Sequence, residues 1–363
     1  MSFISSSRLK FGVVGSGEIV QKSILPALQN LKERCEIDFI TSSNEVKLNS
    51  LNYKFNIKNL YHHDEVFKKT DHQIDALIVA SPNETHQKYI NWAIENNKHI
   101  ICESPLCTNS TEANLFAQNA NDKNLKFMTA HRHIFHPLMR DSLTVIKNKE
   151  IGDIKYVNII LSQKMNDANN FRLLSSDKSG GPGHNLGIKA INIIRQIFNE
   201  EPIEVFAFAQ KSRCDLLKNV DEAISVVLRF RNQRMAQCFL SYKTHPCSDI
   251  EIIGEEGKIR ITDFMVPNKI NIMTIRDSKR IVTRRYPQFD PTGHLINNFC
   301  DSVQKKKDLS SSIDSTIKDL KILDAIHLSI DLGTPISLKE ISERIAGKKK
   351  IKIPFFARPR FNL

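Results

Sequence analysis

The chain predicts two domains of different class: an α/β domain on a doubly wound parallel sheet, then an α+β domain on an open, mainly antiparallel sheet. Three observations carry this. Through the first 130 residues short apolar runs alternate with helical patterns, as parallel crossovers require. The first run enters its helical pattern through a glycine turn, Gly15-Ser16-Gly17. Beyond residue 153 short alternating strands recur without helices between most of them.

Leu9–Gly15 reads as the first strand, and Glu18, Ile19 and Val20 lead to apolar positions at Leu25, Leu28 and Leu31. Gly15 permits the tight turn. Gly17 lets the backbone approach a pyrophosphate at a helix N-terminus, where unbonded N–H groups favour negative charge. Cys35–Thr41 is the second strand, followed by Ser42-Ser43-Asn44 and a helix through Val46, Leu48 and Leu51. Ile74–Ala80 and Lys98–Cys102 are further buried strands. Gly15, Ser42, Ser81 and Glu103 all fall at predicted strand C-termini, where ligands of such sheets bind. These loops converge on one crevice, expected to hold a dinucleotide.

The residue ending the second strand bears on which dinucleotide. An acidic side chain there would accept from a ribose 2′-hydroxyl and repel a 2′-phosphate. This chain has Ser42, with Ser43 and Lys47 nearby, and Asp38 is about 13 Å back along the strand at ~3.3 Å per residue. The cofactor is therefore NAD(P), with a lean to NADP.

After Ala130–Pro137 a helical pattern through Leu138, Leu143 and Ile146 ends at Gly152. Strands follow at Ile154–Ser162, Val205–Gln210, Ala223–Phe230, Met235–Tyr242, Ser248–Ile253 and Lys258–Thr262, and Phe299–Leu332 has helical spacing. The division is residues 1–130, 131–345 and a basic tail, 346–363, to which no function is assigned.

Composition narrows the alternatives. The net charge is +12, yet the lysines are spread along the chain and accompany forty acidic residues, which favours a solvated basic surface over a nucleic-acid site. No apolar run is long enough to span a bilayer, and no apolar stretch follows the N-terminal arginine as a signal peptide requires. Seven scattered cysteines without a CxxC pair suit reduced thiols and a cytoplasmic location. His131, His133 and His136 have no carboxylate or cysteine at ligand spacing, so no metal site is expected.

Four segments carry a resemblance. Ala80-Ser81-Pro82-Asn83-Glu84-Thr85-His86 resembles the A-(T/S)-P-N-x-x-H motif of the Gfo/Idh/MocA family of NAD(P)-dependent oxidoreductases, and Glu103-Ser104-Pro105 its E-K-P motif. Gly254–Gly257 is similar to its G-x-E-G hairpin, and Ser179–Asn192 to its G-G-G-x-x-x-D-x-G-x-H-x-x-D segment. Val20 stands where the family commonly has alanine. The resemblance spans nearly residues 8–338. It implies a Rossmann domain, hydride transfer to or from a sugar, polyol or nucleotide-sugar, and a homodimer or homotetramer formed through the open sheet face.

Residue by residue, the resemblance also implies a changed reacting set. The family's lysine has become Ser104, its Asp has become Asn185, and its His has become Lys189. Asn185 and Lys189, at i and i+4, share one helix face. Alcohol oxidation leaves a proton for a base, and such groups contribute ~10²–10⁴-fold. Ser104 and Asn185 hydrogen-bond substrate but do not ionise at neutral pH. Lys189 either replaces the lost lysine, with its pKa lowered from ~10.4 toward ~7–8, or holds an anionic ligand or points to solvent. Arg132 is a cofactor or substrate contact, His184 a substrate contact at the glycine-rich entrance, and His86 fixes the Pro82-Asn83 loop. Two functions remain: an oxidoreductase with a non-standard catalytic set, or a catalytically silent dinucleotide-binding sensor or regulator.

Overall fold

The structure is a computed structural model that describes residues 8–57, 59–63, 65–66, 68, 73–175, 179–266 and 269–345; the basic tail, 346–363, lies outside the described residues. Contacts divide the chain into two compact units. The first draws on residues up to Cys107, Glu112–His136 and Asp290–Thr316; the second on Thr108–Thr111, Pro137–Phe289 and residues from Ile317 onward.

The first unit is built on six strands: β1 (Leu9–Val14), β2 (Cys35–Thr41), β3 (Asn59–Tyr61), β4 (Ala76–Val79), β5 (His99–Cys102) and β6 (Phe127–Thr129). All pair in parallel in the order β3-β2-β1-β4-β5-β6, so the order reverses between β1 and β4. This is the doubly wound sheet expected, with its switch point beyond the carboxyl ends of β1 and β4. The three-residue strands β3 and β6 carry no readable period; pairing alone defines them.

Helical residues Ile24, Leu25, Leu28, Leu48 and Leu51 pack on the sheet residues Phe11, Val13, Ile40 and Ile78. The helix after the glycine turn is not regular throughout. A π-helical turn, Val20–Ile24, precedes an α-helix at Leu25–Asn30. Pro26 lies in that first α turn; its ring would press on the carbonyl four residues earlier and it has no N–H to donate, so a widened turn ahead of it relieves both conflicts.

The late segment Asp290–Thr316 clusters with the first unit because its helix, Thr292–Lys305, buries Leu295, Ile296, Phe299 and Cys300 in that same core. Arg34 fastens this helix, donating from Nη2 to Asp301 at 2.8 Å and Gln304 at 2.9 Å. The single helix expected over Phe299–Leu332 is two, Thr292–Lys305 and Ile313–Leu332. Lys306 caps the first in a left-handed conformation (φ 54°), inside the Lys305–Lys307 run of like charge.

In the second unit nine strands form one sheet: β7 (Ile154–Ser162), β8 (Glu204–Lys211), β9 (Asp221–Arg229), β10 (Met235–Ser241), β11 (Cys247–Gly254), β12 (Gly257–Thr262), β13 (Asn271–Asp277), β14 (Ile281–Tyr286) and β15 (Ile336–Ser337). The order is β14-β13-β12-β11-β7-β10-β9-β8-β15; only β7 and β10 pair in parallel, and the others are antiparallel. The helix Ile188–Phe198 buries Ile188, Ile191 and Ile194, while Phe208, Val227 and Met235 of β8, β9 and β10 are exposed. Strand β14, Ile-Val-Thr-Arg-Arg-Tyr, buries no residue, so its sequence lacks an alternating signature.

Candidate active site

Glycine is required at the turn that closes β1. Gly15 has φ +107°, and a Cβ there would meet Ala80 O at 2.4 Å. Its amide donates to Thr41 O at 3.0 Å, so the β1 loop is tied to the end of β2 and packed against the end of β4. At Gly17 the situation is opposite: a Cβ would meet nothing within 4 Å. The space before that backbone is open, as close approach of a pyrophosphate needs. Glu18 is exposed and pairs with Lys22; Ile19 is half-buried.

Ser16 joins this loop to the next. Its hydroxyl is 2.5 Å from that of Ser42, both buried, and Ser42 Oγ also accepts from the Asn44 amide at 3.1 Å. Ser42 is therefore committed to the protein, while Ser43 and Lys47 are exposed. Neither is acidic, although the exposed Glu45 opens the helix that follows.

His86 is 1% exposed and links the third and fourth loops. Its Nε2 is 3.0 Å from Ser81 O, and its Nδ1 is 3.2 Å from Leu106 O and 3.4 Å from Cys102 Sγ. Burial lowers the pKa of the ring and raises that of the Cys102 thiol. A neutral imidazole donates once, from Nε2 to Ser81 O or from Nδ1 to Leu106 O, and the tautomer decides which. Pro82 precedes the turn Asn83–Thr85, where Thr85 Oγ1 donates to Pro82 O at 2.7 Å and lies 2.6 Å from Ser81 Oγ. His86 holds the loops rather than presenting a free ring nitrogen.

Glu103 and Arg132 form a two-pronged ion pair at the end of β5. Arg132 Nε donates to Thr292 Oγ1 at 2.9 Å, and Thr292 Oγ1 in turn donates to Asp290 Oδ1 at 2.6 Å. Burial opposes the guanidinium's charge, but Glu103 and then Asp290 outweigh it and raise the pKa above the usual arginine value. All three nitrogens of Arg132 thus donate to neighbouring side chains, and sequence reasoning missed Thr292 and Asp290. Between Glu103 and the cis Ser104–Pro105 bond, Ser104 Oγ is buried with no hydrogen-bond partner among the described residues.

Asn185 and Lys189 belong to the second unit. The helix expected there opens with a π-helical turn, Gly183–Gly187, and becomes α-helical at Ile188. A Cβ on Gly187 would come within 3.1 Å of Leu240 Cδ1 on β10, so the small residue lets the widened turn lie close to the sheet. Asn185 is buried and Lys189 half-buried. His184, 2% exposed, has Nε2 2.9 Å from Thr108 O and Nδ1 3.3 Å from Gly180 O, and stacks on His327 with centroids 5.1 Å apart. Burial lowers its pKa. Both ring nitrogens face backbone carbonyls, an arrangement suited to anchoring the glycine-rich segment.

Two neighbours of Asn185 were not anticipated. Arg172 Nε donates to Asn185 Oδ1 at 3.3 Å, and the Tyr242 hydroxyl, on a fully buried ring, donates to Gly181 O at 3.0 Å. Among the described residues no cluster of three His, Cys, Asp or Glu could hold a metal ion, and no helix is long and apolar enough to cross a membrane. A groove of about 490 Å³ on the first unit, lined by Lys22, Pro26, Asn30, Asp290 and His294 among others, contains none of the anticipated residues.

A family model described as the Gfo/Idh/MocA oxidoreductase family, NAD-binding Rossmann fold, matches residues 9–131, and that of the Gfo/Idh/MocA C-terminal domain matches residues 140–260. A D-xylose 1-dehydrogenase (NADP(+)) of Haloferax volcanii is 23% identical over 333 residues, covering 91% of this chain and all of the relative. A trans-1,2-dihydrobenzene-1,2-diol dehydrogenase of Xenopus laevis is 25% identical, covering 70% of this chain and 76% of the relative. Among solved structures, the aldose-aldose oxidoreductase of Caulobacter crescentus superposes with a TM-score of 0.85 at 20% identity, over 91% of this chain and 100% of the other. A 3-ketoreductase of Actinomadura kijaniata solved with NADP and TDP-benzene gives 0.80 at 19% identity, over 89% and 98%. These structural likenesses concern the fold.

Proposed function

The chain belongs to the Gfo/Idh/MocA family of sugar and nucleotide-sugar oxidoreductases, and from that premise we propose that it transfers a hydride to or from a sugar, polyol or nucleotide-sugar using Ser104, Asn185 and Lys189. The observation that carries the cofactor half is the contrast between the two glycines: Gly15 is dictated by the fold, whereas Gly17 is not and leaves its backbone open to a ligand. When bound, a nicotinamide dinucleotide donates or accepts the hydride. Gly15, Ser16, Gly17, Glu18 and Ile19 would follow the pyrophosphate, Ser43 and Lys47 the adenosine ribose, and the Ser81–Asn83 and Glu103 loops the nicotinamide half. Ser43 and the exposed Lys47, in place of an acidic residue at the end of β2, support NADP(H).

Ser104 hydrogen-bonds a substrate hydroxyl through an Oγ that has no other partner among the described residues. Asn185 orients the substrate, and Lys189 takes the hydroxyl proton in oxidation or returns it in reduction. The exposed Phe208, Val227 and Met235 support a homodimer or homotetramer.

The test is enhancement of NADPH or NADH fluorescence on binding, followed by turnover over a panel of sugars, polyols and nucleotide-sugars. Binding with turnover is expected. Binding without turnover on any member would favour the second reading, a silent dinucleotide-binding regulator, which the non-ionising Ser104 and Asn185 support. Binding of neither dinucleotide would defeat both.

A further inference from the structure

Arg172 is held as an anion receptor is held. It belongs to the short turn Phe171–Leu173, and its guanidinium carbon lies 4.6 Å from the centroid of the Phe171 ring. Its Nε–H is spent on Asn185 Oδ1 at 3.3 Å. A guanidinium fixed at Nε and laid against an aromatic face keeps one orientation, and its Nη1/Nη2 edge remains a two-pronged donor of the geometry that matches carboxylate or phosphoryl oxygens. Among the described residues that edge meets no acceptor and Arg172 forms no ion pair.

Asn185 supplies a second, independent sign of a ligand. The residue is 4% exposed, its Oδ1 is used by Arg172, and its Nδ2 is buried with no hydrogen-bond partner among the described residues. The Tyr242 phenol lies beside the pair and donates to Gly181 O; burial raises its pKa, while Asn185 and Arg172 lower it. A buried amide donor left unmade is destabilising, so such a group is kept where something accepts from it. The amide also brings no negative charge, and the guanidinium beside it is left un-neutralised by its own neighbour.

We propose that Arg172 and Asn185 form an anion-recognition site in the second unit, and that the substrate is a sugar carrying a carboxylate or phosphoryl group. The Nη1/Nη2 edge of Arg172 binds two oxygens of that group, and Asn185 Nδ2 donates to it from the side. This deepens the oxidoreductase reading and rests on it for the word substrate; the anion site itself rests only on the second unit.

The experiment uses the full chain with saturating NADP(H) or NAD(H) and matched sets: a neutral aldose, its aldonate or uronate, and its 6-phosphate. The expected result is a kcat/KM for one charged member about 100-fold above the neutral one, falling to near parity in Arg172→Gln through KM, with partial recovery in Arg172→Lys, as loss of a charged hydrogen-bonding fork predicts. Which arm responds, carboxylate or phosphate, names the group. Equal kcat/KM across a set, or a charged-to-neutral ratio unchanged in Arg172→Gln, overturns the proposal while leaving the oxidoreductase reading intact. If no sugar turns over, the rise in melting temperature with millimolar charged sugar decides: a shift in the wild type absent in Arg172→Gln upholds the anion site against a failed oxidoreductase reading, and no shift overturns it. Should Arg172→Gln fail to give a native circular dichroism spectrum, Arg172→Lys and Asn185→Leu carry the same comparison.

Discussion

Arg132 grips Glu103 with both ends of its fork, and its Nε–H reaches Thr292. Each side chain of the pair is less than one-fifth exposed. Removing one member would strand the other's charge in a partly dry site, which is worse than removing both. Arg132→Met should therefore lower stability by about 2–4 kcal/mol, read from urea midpoints. Adding Glu103→Gln should recover part of the loss. Because Glu103 precedes Ser104, the single variant should also weaken dinucleotide binding about tenfold. A double variant no better than Arg132→Met would show that the pair is not the source.

The two glycines of the β1 turn should behave oppositely. Gly15→Ala forces a Cβ to 2.4 Å from Ala80 O at a φ of +107°, so the domain should be destabilised by several kcal/mol, on the order of 3. Gly17→Ala meets no atom within 4 Å and should leave the melting temperature within a degree or two while dinucleotide affinity falls about tenfold or more. If Gly17→Ala binds NADPH normally, the open space before Gly17 is not the pyrophosphate site.

Strand, glycine turn and helix were legible in residues 9–31, and β2 and β7 fell at the very residues that the apolar runs mark, because a buried parallel strand leaves an apolar run and a strand with one buried face leaves a period of two. The π-helical turns at Val20–Ile24 and Gly183–Gly187 leave no such period. They answer to Pro26 and to the approach of Leu240, contacts made by the fold. Arg172 was missed for the same kind of reason: it lies in a polar stretch without periodicity, and only its Nε–Asn185 bond singles it out. Arg132 was noticed, but the sequence could not say that Glu103, Thr292 and Asp290 would occupy it.

Asp319 is fully buried in the second unit, accepting from Arg195 Nη1 at 2.5 Å and Asn192 Nδ2 at 2.7 Å. Burial outweighs both partners and pushes its pKa up to about 6. Between its unfolded value of ~3.9 and that folded value the native protein holds a proton that the unfolded chain has released. Its contribution to stability is thus fully present below ~pH 4 and is lost as pH rises through about 6. Asp319→Asn should remove this dependence: the difference in unfolding free energy between wild type and variant should change by about 2–3 kcal/mol from pH 4 to pH 7. A pH-independent difference would mean that Arg195 keeps the carboxylate ionised throughout.

Lys189 is half-buried on the turn that follows Asn185, and its two readings predict different kinetics. A proton-transfer group lost in Lys189→Ala should lower kcat about 10²–10⁴-fold with little change in KM. Lys189→Arg should not restore it, because guanidinium stays protonated at any working pH. If Lys189 instead holds an anionic ligand, the alanine variant should raise KM, and arginine, which keeps the charge, should recover much of the loss. The pH profile separates them further: a titrating lysine sets one limb of kcat, and that limb should vanish in Lys189→Ala. A wild-type kcat in Lys189→Ala would remove Lys189 from the chemistry and leave Ser104, with its buried and unpartnered hydroxyl, as the group to examine.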